Sequence, residues 1–134
     1  MKLNVDGSFC EESKLGGAGM IMRNEKGEIL FSACRFLETC SSPLEAELAA
    51  CMEGCALALQ TSDKPFIVEM DCAVAVVTIK SSEDDRSQFT YLVREVQRLL
   101  AEKVGSKVEE IRRDQNSVSD ALAKRGRLEH TTNF

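Results

Sequence analysis

A carboxylate in the middle of an apolar strand limits the folds open to this chain. Residues 2–9, Lys2-Leu3-Asn4-Val5-Asp6-Gly7-Ser8-Phe9, alternate as a strand, with Leu3, Val5 and Gly7 on one face and Asn4, Asp6 and Ser8 on the other. A charge at Asp6 in a half-buried strand is costly unless something offsets it. A metal ion, or a cluster of acids sharing metal ions, does so. Three later stretches offer partners: Glu47 in Glu45-Ala46-Glu47-Leu48-Ala49-Ala50, Asp71 in Val68-Glu69-Met70-Asp71-Cys72, and Asp120 in the run from Asn116 to Ala123.

The rest of the pattern predicts three strands, a helix, a strand, two helices, a strand and a last helix. A turn-rich patch at 11–17 leads to a strand at 18–23. Asn24-Glu25-Lys26-Gly27 reads as a hairpin turn, and 28–37 as a third strand. Ser41-Ser42-Pro43 opens a long helix that Asp63-Lys64-Pro65 ends. A short buried strand at 66–70 precedes a helix at 71–79 and a polar loop at 81–86. Phe89, Leu92, Val93, Val96, Leu99 and Leu100 form one stripe of a helix at about 88–103. A strand at 107–112 follows, then a helix capped by Asn116 or Ser117 that runs through Arg125. A meander followed by strand-helix-strand units makes an α/β fold: a five-stranded mixed sheet flanked by about four helices.

Length and composition narrow the function. The 134 residues make one domain able to bury about two-thirds of its unfolded surface. The abrupt strand at the start reads as a domain excised from a longer polyprotein. A net charge of −5 argues against coating nucleic acid by bulk attraction, which needs clustered Lys and Arg. It leaves room for a nuclease that meets its substrate through metal ions. No apolar run nears the ~20 residues of a membrane span, and no signal pattern follows Met1, so the expectation is an intracellular protein, nuclear or cytoplasmic, with no membrane partner. Six cysteines without a CxxC pair, beside a single histidine, His130, read as reduced thiols rather than disulfides or a zinc site.

Four acids from distant parts of the chain form a hard-oxygen set suited to Mg²⁺ or Mn²⁺. Two such ions about 3.5–4 Å apart can hold a phosphodiester for hydrolysis. Each acid also has a plainer reading. Asp6 opens a turn, Glu47 is a solvated helix residue like Glu45 and Glu53, Asp71 is an N-cap, and Asp120 pairs with Lys124 at i+4. Spacing alone leaves both readings open.

Five stretches in order carry a family resemblance: Asp6-Gly7-Ser8; the glycines Gly16, Gly17 and Gly19; Ala46-Glu47-Leu48-Ala49-Ala50; Glu69-Met70-Asp71-Cys72; and the run from Arg112 to Lys124. Together they resemble type 1 ribonuclease H, and most closely the plant, retrotransposon-derived domains found as segments of reverse-transcriptase polyproteins. The resemblance covers residues 2 to about 126. It implies a ribonuclease H-like fold with the tetrad Asp6, Glu47, Asp71 and Asp120. The implied activity is a metal-dependent endonuclease that hydrolyses the RNA strand of RNA–DNA hybrids with two Mg²⁺ (or Mn²⁺) ions. Gly7, Ser8, Cys72, Arg112, Arg113 and Asn116 are the implied substrate-binding residues, and Asn116 resembles the family's helix-capping asparagine.

The chain also departs from that family. The histidine many members carry before the last helix is absent, with 109–113 in its place. Ser82-Glu83-Asp84-Asp85-Arg86 replaces a basic handle, and Pro43 and Leu44 replace polar groove-reading residues. These departures imply a monomer that grips hybrid weakly unless a fused or partner domain adds affinity. They also support an alternative, a domesticated module that binds nucleic acid or protein with little catalysis. A 3′–5′ exonuclease on the same fold fits the glycine-rich meander poorly.

Overall fold

The computed structural model describes residues 1–81 and 88–134. The polar stretch at 82–86 lies outside the described residues. Three long strands come first: β1 (Lys2–Cys10), β2 (Leu15–Arg23) and β3 (Ile29–Leu37). Then follow α1 (Pro43–Thr61), β4 (Ile67–Met70), α2 (Ala73–Lys80), α3 (Thr90–Ala101), β5 (Lys107–Glu110) and α4 (Ser117–Glu129). The sheet order is β3-β2-β1-β4-β5, with the meander antiparallel and β1-β4 and β4-β5 parallel. This is the five-stranded mixed sheet and four-helix set that the sequence predicts.

Local chemistry explains most of these elements. At the hairpin, Asn24 Oδ1 accepts from the backbone N–H of Lys26 and Glu28 at 2.9 and 3.0 Å. α1 begins with reciprocal caps: Ser42 Oγ accepts from Glu45 N at 3.2 Å, and Glu45 Oε1 accepts from Ser41 N at 2.7 Å. Glu45 is therefore a capping residue. Glu53 pairs with Arg35 rather than with solvent.

The two faces of the sheet are covered differently. Leu3, Val5 and Met20 face α1, where they meet Gly54. Leu48, Phe66, Val68, Met70, Val93 and Val96 complete that core. α4 lies on the other face. Gly17 and Gly19 let it sit directly on β2, since a Cβ at 17 would stand 2.1 Å from Ala123 O.

This packing corrects the sequence reading, which placed Gly16 and Gly17 in a turn-rich patch. Both are strand residues: the backbone of α4 occupies the space a side chain at 17 would need, and Cys40 crowds the one at 16. Other bounds differ as well. β5 ends at Glu110, and a short 3₁₀ turn (Arg113–Gln115) intervenes before α4. α4 continues to Glu129, where His130 takes a left-handed φ of 49° and stacks on Phe36 with ring centroids 4.6 Å apart. Asn133 then bonds both ways with the backbone of Cys34, covering part of the outer edge of β3. All six cysteines are free.

Candidate active site

The cleft begins where β1 and β4 part. These strands pair in parallel, with Asn4 beside Glu69 as the last matched pair. Two residues further along each chain stand Asp6 and Asp71. Asp6 is 4% exposed and its Oδ1 accepts from Gly7 N at 3.0 Å. Asp71 is half-buried just past the end of β4. The N-cap of α2 is Cys72, so Asp71 is not the capping residue its plainer reading suggested.

Glu47 enters from α1. That helix rests on β1 at Gly7, whose missing side chain lets the backbone of Ala46 and Glu47 close in. The result brings carboxylate oxygens of Asp6, Glu47 and Asp71 within 4.8 Å of one another. Asp120, from the first turn of α4, lines the same cleft of about 270 Å³. Its Oδ2 also pairs with Lys124 Nζ at 3.1 Å, the ion pair of its plainer reading.

Electrostatics set this group apart from surface acids. Burial, contact with Asp6, and the charges of Asp6 and Asp71 push Glu47 up to about 10. Burial, with the charges of Asp71 and Asp120 adding to it, raises Asp6 to about 6. Glu47 Oε2 is buried without a hydrogen-bond partner. An unpaired buried carboxylate oxygen is costly, and here it faces two more carboxylates. The donor set is oxygen alone, which fits a hard divalent cation such as Mg²⁺ or Mn²⁺ and suits soft metals poorly.

The other residues singled out in the sequence divide by position. Gly7 and Ser8 line the cleft, and the Ser8 hydroxyl accepts from Arg127 Nε at 2.8 Å. Arg113 lines it too, at the tip of the 3₁₀ turn. Arg112 points elsewhere and pairs with Asp114 at 3.4 Å. Cys72 is partly buried beside Asp71, packed against the core, and burial raises its thiol pKa.

Asn116 occupies the N-cap position of α4, yet its side chain makes no capping bond. It is 1% exposed and turned inward, where it donates to Asp71 Oδ2 at 3.4 Å. The expected capping and substrate contacts therefore give way to a place beneath the acids. Sequence reasoning missed Asn4, Ser119 and Arg127 as neighbours of this site, and saw Lys124 only as the ion-pair partner of Asp120. Asn4 had a visible signal, since it shares its strand face with Asp6.

The sequence matches the family model described as reverse transcriptase-like over residues 4–126. The chain belongs to that family. No curated protein matches it. Among solved structures, it resembles RNase H1 of the halophilic archaeon Halobacterium salinarum NRC-1, with a TM-score of 0.87 at 15% identity over 97% of this chain and 98% of that one. LC11-RNase H1, isolated from compost, in complex with an RNA/DNA hybrid, matches at 0.85 and 16% identity over 96% and 97%. The protease-reverse transcriptase of prototype foamy virus matches at 0.79 and 17% identity over 95% of this chain and 20% of that longer one. These likenesses establish a ribonuclease H fold. No helix among the described residues is long and apolar enough to cross a membrane.

Proposed function

We propose that this reverse transcriptase-like domain is a ribonuclease H, a divalent-metal-dependent endonuclease that cuts the RNA strand of RNA–DNA hybrids. The observation that carries the reading is the buried, unpartnered Glu47 Oε2 facing the Asp6 and Asp71 carboxylates. An arrangement so costly to a metal-free protein makes sense as a seat for cations. The hybrid bound to the LC11 enzyme supports the choice of substrate.

Asp6 and Asp71, one from each of two diverging parallel strands, would hold the divalent ions together with Glu47 and Asp120, with Glu47 serving the attacking water and Asp120 the leaving group. When bound, the ions supply an activated water and a steadied leaving oxygen, giving 3′-hydroxyl and 5′-phosphate ends. The protein does the rest. Burial of Asp6 and Glu47 keeps bulk water from the reacting phosphate, and β1, α1 and α4 hold the acids before substrate arrives. Arg113 and Lys124 at the rim meet neighbouring phosphates of the hybrid.

The family name and the foamy virus enzyme support descent from a reverse-transcriptase-associated domain, in which other parts of a longer chain add grip. The domain itself acts as a monomer within the cell. A second reading is a module that binds hybrid or protein with negligible turnover. The net charge of −5 favours the protein-binding form of that module, because a net negative charge adds to phosphate repulsion and weakens hybrid binding. The two separate in one assay with Mg²⁺ and labelled hybrid, RNA duplex and DNA duplex. The nuclease cuts only the RNA of the hybrid, whereas the module cuts nothing.

A further inference from the structure

Buried polar side chains gather in one place in this molecule. Among the described residues, Asn4, Asp6, Glu47, Asn116 and Ser119 are the buried polar or charged ones. Asp6 and Glu47 belong to the cleft. Asn4, Asn116 and Ser119 form one hydrogen-bonded group directly beneath it.

Asn116 sits at the centre of that group. Its Nδ2 donates to Val5 O at 2.9 Å and to Asp71 Oδ2 at 3.4 Å. Its Oδ1 accepts from Asn4 Nδ2 at 3.1 Å and from Ser119 Oγ at 2.7 Å. A primary amide has two N–H donors and one oxygen with two lone pairs, so every group is used. The orientation matters. A flipped amide would aim its oxygen at the Val5 carbonyl and the Asp71 carboxylate, and its NH₂ at the NH₂ of Asn4.

Ser119 does not fix this orientation by itself, because a hydroxyl can turn to accept as well as donate. Asn4 does fix it. Its Nδ2 also donates to Glu69 Oε1 at 3.3 Å, which holds the NH₂ end toward β4 and Asn116. Lys2 pairs with Glu69 at 3.6 Å, which helps hold that carboxylate beside β1. The Val5 carbonyl and the Glu69–Asn4 pair thus agree on one orientation of Asn116, with an N–H directed at Asp71.

We propose that Asn4 and Asn116 are positioning residues for the Asp71 carboxylate, with Asn4 acting through the orientation of the Asn116 amide. The inference rests on the reading of these acids as a divalent-metal site. One oxygen of Asp71 is held by Asn116, and its carboxylate plane is fixed toward Asp6 and Glu47. Outer groups of this kind typically change metal affinity or activity by about 10–100-fold when removed.

The test uses Mn²⁺ alone as probe, measured by calorimetry on wild type, Asn4→Leu and Asn4→Gln. Leucine keeps the shape of asparagine and loses the donor, while glutamine keeps an amide N–H donor on a longer stem. The expected result is Mn²⁺ affinity about 10-fold or more weaker in Asn4→Leu and at least partly restored in Asn4→Gln. On hybrid, Asn4→Leu should lower kcat and leave KM unchanged, which a general loss of packing would not do. In metal-free wild type, NMR should show both Asn116 Nδ2 protons exchanging slowly with solvent. Fast exchange overturns the proposal even if the variants do not fold. If wild type binds Mn²⁺ and folded Asn4→Leu binds it equally well, the positioning role falls and the metal site stands. If wild type binds no Mn²⁺, both fall together.

Discussion

Gly7 and Ala46 meet backbone to backbone: a Cβ on Gly7 would stand 2.4 Å from the Ala46 carbonyl carbon. That approach seats the start of α1 on β1 and brings Glu47 to Asp6. The glycine of Asp6-Gly7-Ser8 therefore builds the site without touching the chemistry.

Gly7→Ala forces α1 away from β1. Overpacking of this kind costs about 1–3 kcal/mol, so the urea midpoint should fall with an unchanged m-value. Mn²⁺ affinity should fall as well, because Glu47 moves with the helix. An alanine variant with wild-type stability and affinity would show that the contact is not what places Glu47.

Removing the charge of Glu47 should stabilise the metal-free protein. Asp6 and Glu47 hold protons more tightly folded than unfolded, being raised from 3.8 to about 6 and from 4.5 to about 10. Their contribution to stability is thus full below their unfolded values. It shrinks as pH rises, through about 6 for Asp6 and on toward about 10 for Glu47. In EDTA, the Tm of wild type should drop between mildly acidic and mildly alkaline buffer, and Glu47→Gln should flatten that drop while abolishing cleavage.

Metal binding should show the opposite pH trend. Ligand carboxylates must lose their protons to bind a cation, so Mn²⁺ affinity rises with pH across the same range. Mn²⁺ at about 100 times its Kd adds about 2.7 kcal/mol to folding stability. The shift in Tm on adding a fixed Mn²⁺ concentration should therefore be larger at alkaline than at acidic pH.

Two adjacent arginines should behave differently. Arg113 lines the cleft, whereas Arg112 pairs with Asp114 outside it. Arg113→Ala should raise KM for hybrid about 10-fold or more, since one charge-assisted phosphate contact is worth about 1.5–3 kcal/mol. Arg112→Ala should leave KM within about twofold, the usual effect of an exposed ion pair. Steady-state kinetics at fixed salt makes the comparison.

Much of this was legible in the sequence because periodicity and acid placement survive folding unchanged. The order of elements follows from the switch between alternating and helical patterns, and Asp6 announced itself as a charge in an apolar strand. What stayed hidden depends on contacts between distant segments. Gly16 and Gly17 looked like a turn because nothing local shows that Cys40 will crowd the first and α4 will press on the second. Asn116 looked like a cap because its inward turn depends on Asn4 and Asp71, which are 112 and 45 residues away. The pairing of Asn133 with Cys34 had no periodic signal at all.

The central claim is that Asp6, Glu47, Asp71 and Asp120 form a working nuclease site. The most direct measurement is cleavage of a labelled RNA–DNA hybrid in Mg²⁺ or Mn²⁺ by wild type and by Asp71→Asn, with both shown to be folded. The account predicts cleavage of the RNA strand by wild type and its loss in Asp71→Asn, which removes a ligand charge and nearly keeps the shape. A folded wild type that leaves the hybrid whole, or two proteins that cut it equally, would contradict it.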